Sequence, residues 1–444
     1  MKKVLKICIA VFITFTANAQ KVNISFTEYE LSNGLHVILH QDNSTPNVVV
    51  SLMYHVGSKD ENPERTGFAH LFEHLLFEGS ENIGRGEYMK IVQANGGELN
   101  ANTSVDRTYY FELMPSNQLE LALWLESERM LHAKIDSIGI ATQKNVVIEE
   151  RKQSYDNQQY GTFSEKLFKY AFKEHHYRWI TIGDPEHIRN STDKDVLDFY
   201  KMYYVPNNAV LVVAGDFQAD NAKKLIAKYF GDIPRGKQTI TRYNIVEKPL
   251  GGEIRETVYD NVMLPAVFMA YRSPAYGTKD FYILQIVNSI LGEGNSSRFK
   301  DNIDNKKKAM QTGLFAMPYQ DPSVSIVLGI ANAGGKIEDT EAAINAEIDK
   351  IMNELVSADE LQKAIAAKET QIVSSKNSIA NIAHTLAEYY TYFRNAKMIN
   401  SELANYSNIT REEIKRVAQK YLSPDNRVVL YYLPKSMQPK EQAK

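Results

Sequence analysis

The sequence predicts an α+β protein built from two tandem homologous domains, each an antiparallel-type sheet packed on helices. Three observations carry that expectation. The stretches "YYVPNNAVLVVAGDF" (203–217) and "YLSPDNRVVLYYLP" (421–434) share Tyr-x-x-Pro-x-Asn followed by an apolar strand, and each follows an amphipathic helical pattern, at 192–202 and 409–420. Pro206 and Pro424 lie about half the chain apart, a period that signals a duplicated domain and not a solenoid of short repeats. Strand patterns are also grouped apart from helical ones in each half, as in α+β layers and unlike alternating βαβ units. Finally, "PRGKQTITRYNIVEKPLGGE" (234–253), rich in Gly, Pro and charge, reads as a linker between the halves.

The elements follow in order. Residues 1–19 read as a secretory signal: Lys2, Lys3 and Lys6 precede an apolar run from Ile7 to Phe15, and Ala17-Asn18-Ala19 supplies a small-residue cleavage site. Cleavage after Ala19 is expected, with export, most simply to a periplasm. The first domain is then 20–233. It opens on "ISFTEYELSNGLHVILH", two alternating runs around Asn33-Gly34, a strong hairpin signal. A third strand, "NVVVSLMYHVG", leads into a helix, and helical patterns dominate from 116 to 202. After the linker, the domain 254–435 repeats the order: strands near 253–259 and 264–272, helices from 278, strands within 310–331, then helices. Residues 436–444 form a tail.

Composition removes several function classes. With 444 residues and 43% apolar content the chain can build large cores, while a net charge of −3 gives no basic footprint for nucleic acid. No segment reaches the ~20 consecutive apolar residues of a membrane span. Cys8, the only cysteine, lies inside the signal, so the exported chain is expected to have no disulfide, no thiolate metal ligand and no thiol nucleophile.

The chemistry concentrates in "TGFAHLFEHLLFEGS" (66–80). On a helix, His70 and His74 share one face, and Glu73 lies beside His74 within reach of a water on a shared ion. This is H-x-x-E-H, the inversion of the commoner zinc motif. The bland alternative is a solvated helix face. Leu71, Phe72, Leu75, Leu76 and Phe77 surround the trio, however, and a helix that buries so much has little surface left for decoration. Catalytic zinc takes three protein ligands and keeps one position for water. "TQKNVVIEERKQ" (142–153) offers Glu149 and Glu150 on a predicted helix. Adjacent helical residues point about 100° apart, so one of them faces inward, and local pattern does not choose.

With these motifs the chain resembles the pitrilysin and mitochondrial-processing-peptidase family. "GGELNANTSVDRTYYFELMP" (96–115), "HHYRWITIGDPEHI" (175–188), "FYKMYYVPNNAVLVVAGDF" (199–217) and "LGEGNSSRF" (291–299) fit its pattern as well, so the likeness covers nearly the whole exported chain. The resemblance implies one zinc ion per chain on His70, His74 and Glu150. It also implies hydrolysis of unfolded peptides or small proteins by a metal-activated water, with Glu73 as general base. It places Asn100, Ala101 and Asn102 on a strand whose edge pairs with the substrate backbone. Gln143 stands where the family usually has a Glu, which makes it a candidate hydrogen-bonding partner of the ligands with one negative charge fewer.

The second half is the metal-free copy: "DFYILQIVNSILGEG", at the position of the H-x-x-E-H helix, has no His and no suitable acid. In relatives this half supplies an Arg and a Tyr that bind substrate. Counted without gaps from Ser296-Ser297-Arg298, those positions are Asp304 and Gln311; Tyr319 is nearby, but no Arg lies between Arg298 and Arg394. Lys306, Lys307 and Lys308 offer charge without the planar fork of a guanidinium. The expected partner is therefore a related subunit bearing the Arg and Tyr, in a heterodimer closed around the peptide. Two other readings stand beside this one: a non-catalytic scaffold or peptide-binding subunit, and a plain helical surface. The adjacent His175-His176 is not expected to form a second metal site, since neighbouring residues rarely share an ion.

Overall fold

The computed structural model describes residues 23–439. The expected signal segment 1–19, its cleavage site and Cys8 lie outside the described residues, as does the end of the tail. Six strands form the first sheet: β1 (Thr27–Glu30), β2 (His36–Gln41), β3 (Asn47–Tyr54), β4 (Glu98–Thr103), β5 (Thr108–Pro115) and β6 (Ala209–Gly215). Their order is β1-β2-β6-β3-β5-β4. Five form the second: β7 (Ile254–Asp260), β8 (Ala266–Ser273), β9 (Gln311–Ala316), β10 (Ser323–Ile330) and β11 (Arg427–Pro434), in the order β7-β11-β8-β10-β9. Without β1 the two orders coincide strand for strand. The fold is thus α+β and duplicated, as the pattern implies.

Each sheet is antiparallel except for one pair, β2–β6 in the first and β7–β11 in the second. These pairs arise because the last strand of each half returns, after the long helical stretch, beside the half's opening strands. Asn33 and Gly34 do turn the chain between β1 and β2, which pair antiparallel with Glu30 opposite His36. Gly34 adopts φ of 88°, which a side chain disfavours, and the Asn33 amide donates to the carbonyls of Phe230 and Ile233.

Eight helices belong to the first half: α1 (Phe68–Leu75), α2 (Tyr88–Ala94), α3 (Leu119–Leu131), α4 (Ser137–Arg151), α5 (Phe163–Ala171), α6 (Pro185–Asn190), α7 (Asp193–Tyr203) and α8 (Ala219–Phe230). Five belong to the second: α9 (Lys279–Gly292), α10 (Ile337–Asn353), α11 (Ala358–Ser375), α12 (Ile379–Phe393) and α13 (Arg411–Tyr421). None of the described helices is long and apolar enough to cross a membrane. The repeated Tyr-x-x-Pro-x-Asn joins α7 to β6 and α13 to β11, and its Asn has the same task in both. Asn208 Nδ2 donates to the carbonyl of Tyr203 at 2.8 Å and to that of His55 at 3.2 Å. Asn426 Nδ2 donates to the carbonyl of Tyr421 at 2.8 Å and to that of Arg272 at 2.8 Å. In each half one amide satisfies a carbonyl at the helix end and ties it to the neighbouring strand.

The halves exchange helices. α12 lays Ile382, Ala383, Leu386 and Ala387 on the face of the first sheet formed by Ile38, Val49, Met53, Val210 and Val212. In return α5 packs Leu167, Phe168 and Ala171 into a core shared with Phe268, Ala270, Ile326 and Leu430 of the second sheet, and Phe163 stacks on Phe268 at 4.4 Å. Both faces of each sheet are therefore covered, which is why β3 and β6 are buried almost throughout and do not alternate. The turn between β9 and β10 docks on the first half through Lys59, whose ammonium lies 2.7 Å from Asp106 and 3.1 Å from Asp321.

Candidate metal centre

α1 has only eight residues, too few to be stable alone. Tertiary contacts hold it at both ends. At its start, the buried carboxyl of Glu61 accepts the N–H of Gly67 and of Ala69, both at 2.9 Å, and the Trp179 indole N–H at 3.1 Å. Burial pushes Glu61 up to about 8, although these donors pull it down. Gly67 caps the helix with φ of 92°, and a Cβ there would meet the carbonyl oxygen of Ile182 at 2.7 Å. At its end, Arg129 Nη1 donates to the Leu76 carbonyl at 2.9 Å, and the Tyr110 hydroxyl to that of Phe72 at 3.0 Å. The Arg129 guanidinium is stacked among the rings of Phe77, Tyr88 and Tyr110 at 4.4, 4.4 and 4.5 Å, with its charge met by Glu112 and Glu126.

Phe68, Ala69, Leu71, Phe72 and Leu75 are buried, which turns His70, Glu73 and His74 toward α4 and β4. α4 is capped by Asp136, whose side chain accepts the Gly139 N–H at 2.8 Å, and it buries Val147 and Ile148. Its next two residues part company. Glu149 lies on the outside and pairs with Lys152 at 2.6 Å. Glu150 meets the histidines: His74 Nε2 is 3.2 Å from Glu150 Oε2, and His70 Nε2 is 3.6 Å from Oε1. One ligand atom from each of the three lies within 4.8 Å of the others, and no other such group occurs among the described residues.

The electrostatics favour the protonation states a metal requires. Burial, reinforced by His74, holds His70 down to about 4 against the pull of Glu150. The hydrogen bond from His74 holds Glu150 below the usual carboxylate value. Two imidazole nitrogens and a carboxylate oxygen, with a side left open, are the donor set of catalytic zinc, so these residues fit that ion. Burial raises Glu73, whose Oε2 accepts a hydrogen bond from the Thr103 hydroxyl at 2.6 Å. Ligating imidazoles usually donate their second N–H to an acceptor. His70 Nδ1 instead is buried without a partner among the described residues.

The remaining predicted positions are distributed as follows. Asn100, Ala101 and Asn102 lie on β4, the outer strand of the sheet. Ala101 N–H is bonded at 2.8 Å by Asn100 Oδ1, and the carbonyl of Asn102 accepts from Arg107 at 3.0 Å. Gln143 donates to Glu78, which also pairs with Arg85, and Arg85 bonds Asp136 at 2.9 Å. Gln143 thus ties the middle of α4 to the segment that follows α1. Asp304 accepts from the Thr312 hydroxyl at 2.8 Å, and Gln311 begins β9. Tyr319 is packed between the halves, its ring 5.0 Å from that of Tyr177. His176 Nδ1 is 2.7 Å from the Lys59 carbonyl oxygen, and His175 is 3.5 Å from Asp321. Sequence reasoning missed Thr103, Glu61 and Arg129. Thr103 directly follows Asn102, but nothing local ties any of the three to α1.

A duplicated α+β chain with H-x-x-E-H on a helix of one half is a metallopeptidase scaffold. The chain belongs to the M16 peptidase family: residues 36–184 match its domain described as "Insulinase (Peptidase family M16)", and residues 190–368 match the "Peptidase M16 inactive domain". It is 29% identical to the zinc protease PqqE of Helicobacter pylori, over 98% of this chain and 99% of that one. A probable mitochondrial-processing peptidase subunit beta of Arabidopsis thaliana is 23% identical over 88% of this chain and 75% of its own length. Among solved structures, a protease from Helicobacter pylori superposes with a TM-score of 0.88 at 29% identity, covering 93% of this chain and all of that one. The periplasmic protease PqqL from Escherichia coli matches in fold, with a TM-score of 0.76 at 18% identity, over 95% of this chain and 50% of its own.

Proposed function

We propose that the protein is the zinc-bearing subunit of an exported metalloendopeptidase that hydrolyses extended peptides and unfolded small proteins. The observation that carries this is the convergence of His70, His74 and Glu150 beside a half-buried Glu73. His70, His74 and Glu150 would hold the ion. A zinc ion held there would supply Lewis acidity, making water a nucleophile at neutral pH. Glu73 accepts the proton of the attacking water and returns it to the amine of the leaving half. The outer edge of β4 offers main-chain groups to any extended peptide, giving affinity without sequence preference.

Counted without gaps, Asp304 and Gln311 stand where relatives carry the Arg and Tyr, and although Tyr319 is near, no Arg lies between Arg298 and Arg394. The proposed assembly is accordingly a heterodimer with a related subunit that bears the Arg and Tyr and lacks the zinc motif. A fold match to one half of the longer Escherichia coli chain is consistent with two half-length chains sharing one chamber. The periplasmic location in that protein's description supports export, as does the basic and apolar start of the sequence.

The test is Glu73→Gln. It should keep one zinc per chain and lose about 10²- to 10⁴-fold in peptide hydrolysis. A variant as active as the wild type would exclude the mechanism. Purified alone and zinc-loaded, the chain should cleave quenched fluorescent peptides poorly, and co-expression with such a partner should restore the rate. Full activity from the isolated chain would exclude the heterodimer.

A further inference from the structure

Glu73 has two carboxylate oxygens with different surroundings. Oε2 accepts the Thr103 hydroxyl at 2.6 Å; Oε1 has no hydrogen-bond partner among the described residues. A hydroxyl bound to a carboxylate at that distance is a strong, charge-assisted hydrogen bond, so the group is held by one oxygen and free at the other. Thr103 is the last residue of β4, the strand with the open edge. In an antiparallel ladder alternate residues turn their N–H and C=O groups to opposite sides. Ser104 N–H bonds the carbonyl of Arg107 on the inner side. The odd-numbered positions of β4 therefore point outward, and Ala101 N–H does so, resting on Asn100 Oδ1. Thr103 is the next outward position, about 7 Å further along the strand.

From this juxtaposition we infer that Thr103 is a positioning residue for the base. Its hydroxyl fixes Glu73 Oε2 and leaves Oε1 to carry the proton, so that base and substrate-pairing edge keep one register. The inference rests on the peptidase reading above. A peptide that displaces Asn100 from Ala101 N–H is then set, by the same strand, at a fixed distance from Oε1. Oε1 takes one proton from the attacking water and delivers it to the leaving amine, and Thr103 keeps its own proton throughout. A purely structural account is that the hydroxyl only secures the end of the β4–β5 hairpin.

Thr103→Val removes the hydroxyl and keeps the branched shape; Thr103→Ser restores the hydroxyl. In the assembly purified from its source, assayed on a quenched fluorescent peptide, Thr103→Val should lose about 10-fold or more in kcat. KM, zinc content and affinity for an uncleavable reduced-amide peptide should be unchanged, and Thr103→Ser should recover most of the rate. A second readout needs no turnover: the carboxylate infrared band isolated as wild type minus Glu73→Gln should shift in Thr103→Val and return in Thr103→Ser. An unshifted band overturns the inference even if the wild type proves inactive, which would itself count only against the peptidase reading. Equal loss in Val and Ser, or loss of zinc or peptide binding together with rate, assigns Thr103 to the hairpin alone. An unchanged kcat in Thr103→Val, with Glu73→Gln inactive, overturns the inference and leaves the peptidase reading intact.

Discussion

Glu149 and Glu150 are neighbours in sequence with opposite surroundings, one paired with Lys152 in solvent and the other between two imidazoles. Glu150→Gln should therefore weaken zinc binding more than about 100-fold, beyond what loss of an outlying hydrogen bond costs. Glu149→Gln should leave it unchanged. Competitive chelator titration separates them, and reversal of the two results would move the third ligand to Glu149. Helical spacing shows which residues share a face, so the His70–Glu73–His74 cluster is legible in the sequence itself. The inward turn of one acid on α4 is not, because it depends on where α4 crosses α1. Gln143 is a similar case. The resemblance marks it as a candidate partner of the ligands, while its bond to Glu78 joins residues far apart in sequence that no local pattern links.

At the scale of the element, α1 is a short helix that other elements hold in place. Glu61 and Gly67, just before it in the chain, hold its start, while Tyr110 and Arg129, far along the sequence, hold its end. Gly67→Ala places a Cβ against the Ile182 carbonyl at positive φ, which should destabilise the fold by roughly 1–3 kcal/mol. Because α1 carries two of the proposed ligands, zinc affinity should fall with it. Tyr110→Phe removes one hydroxyl bond and should cost about 0.5–1.5 kcal/mol. Denaturant titration of each variant, with and without zinc, measures both effects. A Gly67→Ala protein of wild-type stability would show that the backbone there relaxes freely. The sequence does announce α1 through its apolar spacing, yet gives no hint of Tyr110 and Arg129 as anchors, since contacts across long sequence separations leave no local periodicity.

For the whole molecule, the exchanged helices decide cooperativity. α12 covers a sheet belonging to the other half, so Leu386→Ala should cost about 2–5 kcal/mol and lower the unfolding midpoint of both halves in a single transition. Two resolved transitions would show that the halves unfold separately. His384 on the same helix adds a pH dependence. Burial first, and then Arg107, lowers it to about 3 in the folded protein, against an ordinary value near 6.5. The unfolded chain thus takes up a proton that the folded one refuses. The stability at stake is fully present above pH ~6.5 and is lost as pH falls toward 3. His384→Gln should flatten the loss between pH 7 and 5, seen as a smaller drop in melting temperature. The repeated Tyr-x-x-Pro-x-Asn makes the duplication legible, but the helix exchange is not, because an apolar stripe shows that a helix is buried without showing against which sheet. That exchange has a consequence for ancestry. Two copies of a unit, each lending a helix to its twin, have the geometry of a domain-swapped homodimer. The segment 234–253 has the place of a covalent bridge added to an association that already stood. A chain nicked within it should stay together on a native gel, whereas either half expressed alone should either pair with a second copy of itself or expose the bare sheet face and aggregate.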